Sequence, residues 1–301
     1  MRGSAYGSHM AKTFTQTVSR GLIRSIRKVR SRWPIEAGKD FPNHIGAFLT
    51  RRGYLEPVWH EFQPGLWMRL DISDLIQETI LLEDHWDPLL TRFLQERLTA
   101  GTVFIDIGAN VGYFTLLGAM HVGAGGKVLA IEPNPAVATL LRENLARSEL
   151  AMVIVEEVAC CDSDAAPRLI LYIPSDHNIA KASLSQRNAG PGTRVEVEST
   201  TVDRLVMKHG LTRVDLIKID VEGAELGVFR GMKETLARFN PSVVTELDPE
   251  LLASCGSMVE DVTDLMKSFG YKVSSMGGHG NYLFSPPLAP QYSSLGLEKL
   301  K

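Results

Sequence analysis

Cysteine is scarce in this chain: among 301 residues there are three, Cys160, Cys161 and Cys255. An odd and sparse set does not make a disulfide framework, and neighbouring cysteines rarely bridge each other. No Cys-x-x-Cys pair and no cluster of cysteine with histidine indicates a zinc site. We therefore expect reduced thiols and a cytoplasmic protein.

An excess of one charge and long apolar runs are also lacking. The formal net charge is −3 at pH 7, which argues against the whole protein being an electrostatic binder of nucleic acid. No run reaches the roughly 18 apolar residues that a membrane-spanning helix needs. The composition, 44% apolar and 22% charged, is typical of a globular enzyme with an adequate core. Neither a nucleic-acid partner nor a transmembrane segment is expected.

The amino-terminal residues differ in character from the rest. Residues 1–10 end in Gly-Ser-His-Met and resemble an expression-tag remnant, so we exclude them from the fold. Residues 11–39 hold eight Lys or Arg residues and one acid, with apolar residues spaced three and four apart. This pattern predicts a basic amphipathic helix. Such a helix could pack on its own domain, join a neighbouring subunit in a homo-oligomer, or contact an anionic membrane surface.

Strand and helix patterns alternate regularly through residues 101–301, which we assign to one domain. We interpret residues 152–158 as one of its strands and residues 224–239 as one of its helices. Alternation on this scale predicts an α/β fold with a doubly wound, mostly parallel sheet.

Two further regions surround that pattern. Residues 40–100 form an amino-terminal cover, read as short strands over 54–82 with a turn at Gln63-Pro64-Gly65, and then a helix over 87–98. Residues 165–200 form an insertion, interpreted as a β-hairpin with a mobile loop. Long loops inside compact domains are often lids or substrate contacts, so we expect acceptor specificity in these two regions.

The most informative segment joins a strand-like run at residues 103–107 to a glycine-bounded loop and a helix. That arrangement holds a nucleotide-shaped ligand at the end of a parallel sheet. The loop reads Gly108-x-x-x-Gly112, with Asp106 before it and Asn110 inside it. This spacing departs from the G-x-G-x-x-G of dinucleotide enzymes and resembles the loop of S-adenosylmethionine (SAM) methyltransferases. The glycines would let a ligand approach the backbone, the helix N-terminus would hold its carboxylate, and Asp106 would reach its ammonium group.

Acidic residues also follow the next two predicted strands. Glu132 ends the second strand, where its two carboxylate oxygens could accept hydrogen bonds from both ribose hydroxyls of the ligand. Asp162 follows the third strand, where an acid could accept from the adenine amino group. Three acids after three successive strands predict a nucleoside site more specifically than the loop alone.

A second acidic cluster lies in Leu216-Ile-Lys-Ile-Asp-Val-Glu-Gly-Ala-Glu225, at the carboxyl end of the fourth strand. Asp220 and Glu222 are expected to point into the cleft, and Glu246 lies at the matching end of the fifth strand. Glu225 falls on the first helical turn, where helix capping accounts for it well.

The two motif segments resemble the FkbM family of SAM-dependent methyltransferases. The resemblance rests on Asp106-Ile-Gly-Ala-Asn-Val-Gly-Tyr-Phe-Thr115 and on Asp215-Leu-Ile-Lys-Ile-Asp-Val-Glu-Gly-Ala-Glu225, and it covers about residues 84–250. Ile131-Glu-Pro-Asn-Pro135 and Ala182-Ser-Leu184 agree with it. It implies a class I methyltransferase fold with a seven-stranded, Rossmann-like sheet that has one antiparallel strand near the C-terminus. It also implies O-methylation of sugars, polyketides or other secondary metabolites.

Methyl transfer to an aliphatic hydroxyl benefits from a general base, because the hydroxyl is a poor nucleophile. The candidates are Asp220, Glu222, Glu246 and, in the insertion, His177. No metal site is assigned, although a cluster of acids could instead hold Mg²⁺, which prefers oxygen ligands. The acceptor is expected to be a small-molecule or glycan hydroxyl, free, carrier-bound or lipid-linked.

Other functions compete with this interpretation. A SAM-dependent N-methyltransferase of nucleic acid commonly has Asn/Asp-Pro-Pro-aromatic after the fourth strand, where this chain has Asp220-Val-Glu-Gly223. An N-methyltransferase of a small molecule stays open. A NAD-dependent oxidoreductase would use Glu132 but not this glycine spacing. A SAM-binding protein without catalysis would not need the second acidic cluster.

Overall fold

The computed structural model describes residues 55–175, 179–277 and 280–287, together with Gly21, Ile23, Ser25, Lys28 and Arg52. Most of the predicted basic helix at residues 11–39 lies outside the described residues. Those of its members that are described, at positions 21, 23, 25 and 28, are helical. Its partners therefore stay a prediction.

The described chain divides into two compact units, residues 1–88 with 176–180 and residues 89–175 with 181–301. In the first unit, strands β1 (Val58–Gln63) and β2 (Leu66–Leu70) pair antiparallel around the predicted turn.

A helix then follows that the sequence interpretation missed, because residues 54–82 were expected to be strands. Helix α1 spans Leu75–Glu83, and the Asp74 side chain begins it by accepting a hydrogen bond from the Gln77 amide. Its buried residues include the polar Gln77 and Glu78, while Leu75 is exposed, so the spacing of its apolar residues gave little helical signal.

The second unit alternates strands and helices. Its strands are β3 (Val103–Ile107), β4 (Lys127–Ile131), β5 (Val153–Glu156), β6 (Ala159–Cys160), β7 (Arg168–Pro174), β8 (Gly192–Thr200), β9 (Leu216–Ile219), β10 (Ser242–Glu246), β11 (Lys272–Gly277) and β12 (Asn281–Ser285). The helices are α2 (Pro88–Arg97, which begins at the boundary), α3 (Tyr113–Val122), α4 (Pro135–Arg147), α5 (Gln186–Ala189), α6 (Val202–Lys208), α7 (Glu225–Arg230), α8 (Lys233–Phe239), α9 (Pro249–Ser254) and α10 (Val259–Ser268). In the described part of the chain, no helix has the length and apolarity to cross a membrane.

Seven of the strands form one sheet in the order β11-β12-β10-β9-β3-β4-β5. Strands β10, β9, β3, β4 and β5 run parallel, and β12 runs antiparallel to both of its neighbours. The central strands are almost wholly apolar because helices cover both faces of a parallel sheet. This is the predicted doubly wound α/β fold of a class I methyltransferase, with the expected antiparallel strand near the C-terminus.

Two predicted elements are corrected by the structure. The single helix expected over 224–239 is two helices, α7 and α8, separated at Gly231. A Cβ on Gly231 would lie 2.0 Å from the Cys161 carbonyl oxygen, so the helix turns where that strand end approaches it. The strand expected over 152–158 leaves the main sheet after Glu156, and β6 pairs instead with β8.

The insertion is a hairpin, as expected. Strands β7 and β8 pair antiparallel from Arg168 opposite Glu198 to Pro174 opposite Gly192. A short 3-10 turn, Ile179–Lys181, and helix α5 lie between the two strands. His177, the loop histidine proposed as a base, lies outside the described residues, so its role stays a prediction.

Candidate active site

The glycine loop follows β3 and is held by the neighbouring strand, since the amides of Gly108 and Ala109 both donate to the Ile131 carbonyl. Gly108 has a φ of 76° and Gly112 a φ of 99°. A Cβ on Gly108 would lie 1.8 Å from the carbonyl oxygen of Asp220. The lack of a Cβ at Gly108 therefore lets the Asp220 backbone approach it, and the expected contact of Gly108 with a ligand stays a prediction. The loop after β3 and the loop after β9 are therefore packed against each other.

Asp106 is completely buried beneath this loop. One carboxylate oxygen accepts a 2.6 Å hydrogen bond from the Thr115 hydroxyl, and the other lies 3.5 Å from Lys218 Nζ. Burial raises the pKa of Asp106, while Lys218 and Thr115 act in the opposite direction. In this position Asp106 supports the base of the loop through Thr115 and Lys218, and its expected contact with the ligand ammonium stays a prediction.

Glu132 joins the loops after β3 and β4. One of its carboxylate oxygens accepts from the Asn110 amide and the other from the Asn134 amide, each at 2.9 Å. Burial raises the pKa of Glu132 to about 7, and these two amide donors moderate the rise. Asn110 itself has a φ of 51°, and its side-chain oxygen accepts from the next amide, that of Val111. Each Glu132 oxygen keeps a further lone pair, which a hydroxyl donor could use.

Asp162 lies at a different strand from the one expected. It follows β6 rather than a strand of the main sheet, and it lines an open cleft of about 440 Å³ with the three cysteines and Arg230. Among the described residues, no hydrogen bond or ion pair joins Asp162 to Glu132 or Asp106. Its proposed contact with adenine stays a prediction.

The acids of the second cluster come together at the carboxyl ends of β9 and β10, as expected from parallel strands. Burial raises the pKa of Glu222 to about 8, and the charges of Asp220 and Glu246 add to the effect. Burial likewise raises the pKa of Glu246 to about 7, with Asp220 again the next cause. Two carboxyl groups with pKa values near neutral pH are suited to accept a proton there.

Glu225 belongs to the same loop but has a structural role. One of its oxygens accepts from the amides of Val221 and Gly223, both at 3.2 Å. These bonds close the turn that begins α7, which agrees with the capping role expected for Glu225. Burial raises its pKa to about 7.

Lys218 is the residue that sequence reasoning missed. It is 4% exposed, donates to the Gly108 carbonyl at 3.0 Å, and lies 3.3 Å from the Asp220 carboxylate. Its ammonium also lies 5.4 Å from the centre of the Phe114 ring. Burial lowers the pKa of Lys218, but Asp220 and Asp106 outweigh burial and raise it overall. The sequence did contain an indication of this role. A single lysine inside an otherwise apolar strand is expected to be buried, and a buried cation needs charged or polar partners.

Among the residues that the structure describes, no three carboxylate, imidazole or thiol groups are arranged to hold a metal ion. The acids of the second cluster interact with one another and with Lys218 instead. Their geometry gives no support to the Mg²⁺ alternative.

The methyltransferase FkbM domain model matches residues 106–273, which include the glycine loop, the insertion and the second acidic cluster. The chain belongs to the FkbM methyltransferase family. It is therefore a methyltransferase of a SAM-dependent family, and the alternatives of a dehydrogenase and of a binding protein without catalysis are set aside.

The chain is also similar to several named proteins. The chain is 29% identical to methyltransferase sdnD of Sordaria araneosa, over 50% of this chain and 67% of that protein. It is 28% identical to 31-O-demethyl-FK506 methyltransferase FkbM of Streptomyces tacrolimicus, over 46% of this chain and 62% of that protein. It is also 28% identical to 2-O-methyltransferase NoeI of Sinorhizobium fredii, over 56% of this chain and 72% of that protein. A crystal structure of methyltransferase FkbM from Methylobacillus flagellatus is 16% identical, with a TM-score of 0.42, over 82% of this chain and 60% of that one.

Proposed function

We propose that this FkbM-family protein transfers a methyl group from SAM to a hydroxyl oxygen of a small molecule or glycan. One observation carries the proposal. Lys218 donates to the donor-loop carbonyl of Gly108 and lies beside Asp220, so the predicted donor site and the acidic cluster share one buried cation. Carboxyl groups with raised pKa values therefore lie next to the loop expected to hold the methyl donor.

The described residues suit the donor. The free lone pairs of Glu132 would accept from its ribose hydroxyls, and the first amides of the ten-residue helix α3 would face its carboxylate. The acids near Asp220 favour a cation over an anion at this sheet edge. When bound, SAM supplies an electrophilic methyl group whose carbon–sulfur bond breaks as the acceptor oxygen attacks, leaving the electron pair on sulfur.

The acidic cluster supplies the base. The Glu222 carboxylate takes the hydroxyl proton of the acceptor. Burial, together with the charges of Asp220 and Glu246, keeps the pKa of that carboxyl near 8. A base whose pKa is close to the working pH is largely ionised and is still basic enough to take a proton from the acceptor. Lys218, 3.3 Å away, holds the Asp220 carboxylate in place. Asp220 and Glu246 also line up the acceptor, and such alignment can supply a large part of the rate enhancement.

Two named relatives support oxygen as the acceptor atom. The Streptomyces tacrolimicus protein is a 31-O-demethyl-FK506 methyltransferase, and NoeI is a 2-O-methyltransferase. At 28% identity they do not identify the acceptor of this chain, which we propose to be a hydroxyl in a sugar, polyketide or other secondary metabolite. A cytoplasmic location, inferred from the sparse cysteines, is part of the same proposal.

The test is transfer from SAM carrying a carbon-13 methyl group to panels of hydroxylated sugars, polyketides, and carrier-bound or lipid-linked glycans. We expect a product whose methyl carbon resonates as a methyl ether. A methylamine resonance from a panel of amines would show that the protein is an N-methyltransferase instead. Transfer to neither panel by a protein that binds S-adenosylhomocysteine would contradict the proposed acceptor class.

A further inference from the structure

Glu222 has an unusual backbone. Its φ is 54° and that of the next residue, Gly223, is 101°, so two successive residues adopt the left-handed region. For a residue with a side chain this conformation is costly, and it persists when surrounding contacts impose it. A Cβ on Gly223 would lie 2.4 Å from the Leu251 carbonyl oxygen, so the surroundings are also tightly packed.

The contacts that impose it come from the insertion. The Ser183 hydroxyl donates to the Glu222 carbonyl at 2.7 Å, and the Asn188 side-chain amide donates to the same carbonyl at 2.9 Å. Two side-chain donors on one carbonyl fix the orientation of the Glu222–Gly223 peptide. That orientation in turn sets the direction in which the Glu222 carboxyl leaves the backbone.

Both donors are themselves held. Ser183 is 1% exposed, and its backbone pairs with Tyr172 of β7 through hydrogen bonds of 2.9 and 3.1 Å. The Asn188 amide also donates to the Leu251 carbonyl at 3.1 Å, and its side-chain oxygen accepts from the Ser254 hydroxyl. The insertion is thereby fastened to the loop after β9 and to helix α9 at the same time.

We propose that Ser183 and Asn188 are positioning residues that hold the Glu222 peptide in its left-handed conformation and so aim its carboxyl into the acidic cluster. The role in catalysis rests on the proposed function. The insertion then stabilises the loop after β9, in addition to any contact it makes with the acceptor. Neither residue is expected to touch the reacting atoms.

The experiment compares wild type with Ser183→Ala, Asn188→Ala and the double variant, using two measurements that need no acceptor. The first is hydrogen exchange of the amides of residues 221–225. The second is titration of the Glu222 carboxyl by carbon-13 NMR, assigned with Glu222→Gln. Ser185→Ala is the matched control, because its hydroxyl bonds Ser254 rather than Glu222.

In the double variant we expect exchange of these amides to become faster by about ten-fold or more, the result of local opening. The Glu222 pKa should fall from about 8 towards its ordinary 4.5, as the carboxyl leaves the cluster of Asp220, Glu225, Glu246 and Lys181. Ser185→Ala should leave both measurements as in wild type. Asn188→Asp keeps an acceptor for Ser254 but loses the donor, and should behave as Asn188→Ala does.

Unchanged exchange and an unchanged Glu222 titration in the double variant would overturn the inference. Affinity for S-adenosylhomocysteine, measured on the same samples, should change by less than about two-fold, because the Glu132 side of the site is untouched. If wild type does not bind S-adenosylhomocysteine, the proposed function is contradicted. The exchange and titration measurements still test the positioning role in that case. With an acceptor in hand, the double variant should lower kcat more than it changes KM for SAM.

Discussion

Lys218 Nζ lies 3.3 Å from the carboxylate of Asp220, the residue that directly follows β9. Alternate residues of a strand share a face, and Asp106 is the register partner of Lys218 on β3. The strand geometry therefore places one buried cation between an acid of β3, beneath the glycine loop, and an acid of the loop after β9. This arrangement connects the two motifs physically.

Removing that cation should destabilise the protein. Lys218→Met leaves Asp106 buried without its countercharge, and such losses cost about 3–5 kcal/mol of unfolding free energy. Urea denaturation measures this, with Lys127→Met, an exposed lysine of the same sheet, as the control. Adding Asp106→Asn to Lys218→Met should restore part of the loss. A Lys218→Met protein as stable as Lys127→Met would refute the role of the buried cation.

Gly108→Ala should disrupt the packing of the two loops. The new Cβ would lie 1.8 Å from the Asp220 carbonyl oxygen, and the backbone has a φ of 76°. Gly101→Ala is the matched control, because Gly101 has a φ of 84° with nothing within 4 Å of the new atom. We expect Gly101→Ala to cost about 1–2 kcal/mol from the left-handed backbone, and Gly108→Ala to cost clearly more. Equal losses in thermal denaturation would show that the close approach is unimportant.

Glu222→Gln should remove the base while leaving the donor site intact. We expect kcat to fall by about 10²–10⁴-fold, the usual contribution of a general base, with KM for SAM nearly unchanged. Glu250→Gln, at an exposed position on α9, is the control. In wild type, kcat/KM should rise with pH through about 8, because the Glu222 carboxyl must be ionised to accept the proton. Retained turnover in Glu222→Gln would assign the proton to another group.

The buried acids also predict how stability depends on pH. Glu132, Glu222, Glu225 and Glu246 have folded-state pKa values of about 7 to 8, above the ordinary 4.5. Between these values the folded protein keeps protons that the unfolded chain releases, so the contribution of these groups to stability falls as pH rises. Below pH 4.5 that contribution is fully present.

Urea unfolding at pH 5 and pH 8 measures this effect. We expect lower unfolding free energy at pH 8, and a smaller difference in Glu222→Gln, which has lost one of the titrating groups. Stability that rose over this range would contradict the account of the buried acids.

Much of the fold was predictable because hydrophobic pattern and turn chemistry agree locally. Strand β3 was predicted at its observed bounds, residues 103–107, and helix α2 lies within a residue of the predicted 87–98, since Gly108 ends the strand and Pro88 stands at the first helical turn. Helix α1 was missed because its apolar residues lack a clear helical period. The break at Gly231 was missed because its cause, the Cys161 carbonyl, is about 70 residues away in the chain.

The grouping of the motif acids was predictable from the sequence, but their contacts were not. The motif acids Asp220, Glu222 and Glu246 converge because carboxyl ends of parallel strands meet at one edge. The strand before Asp162 was assigned to the main sheet, whereas β6 pairs with β8, a long-range pairing that no local pattern encodes. The contacts of Lys218 and of Ser183 depend on side-chain geometry across strands, which spacing along the sequence does not reveal.

The most direct test of the central claim is calorimetric titration of S-adenosylhomocysteine into wild type, Glu132→Gln and Glu222→Gln. We expect one site per chain in wild type, affinity weakened by about ten-fold or more in Glu132→Gln, equivalent to about 1.4 kcal/mol or more, and affinity nearly unchanged in Glu222→Gln. Binding of NAD in place of S-adenosylhomocysteine, or equal affinities in all three proteins, would contradict a SAM site built on Glu132.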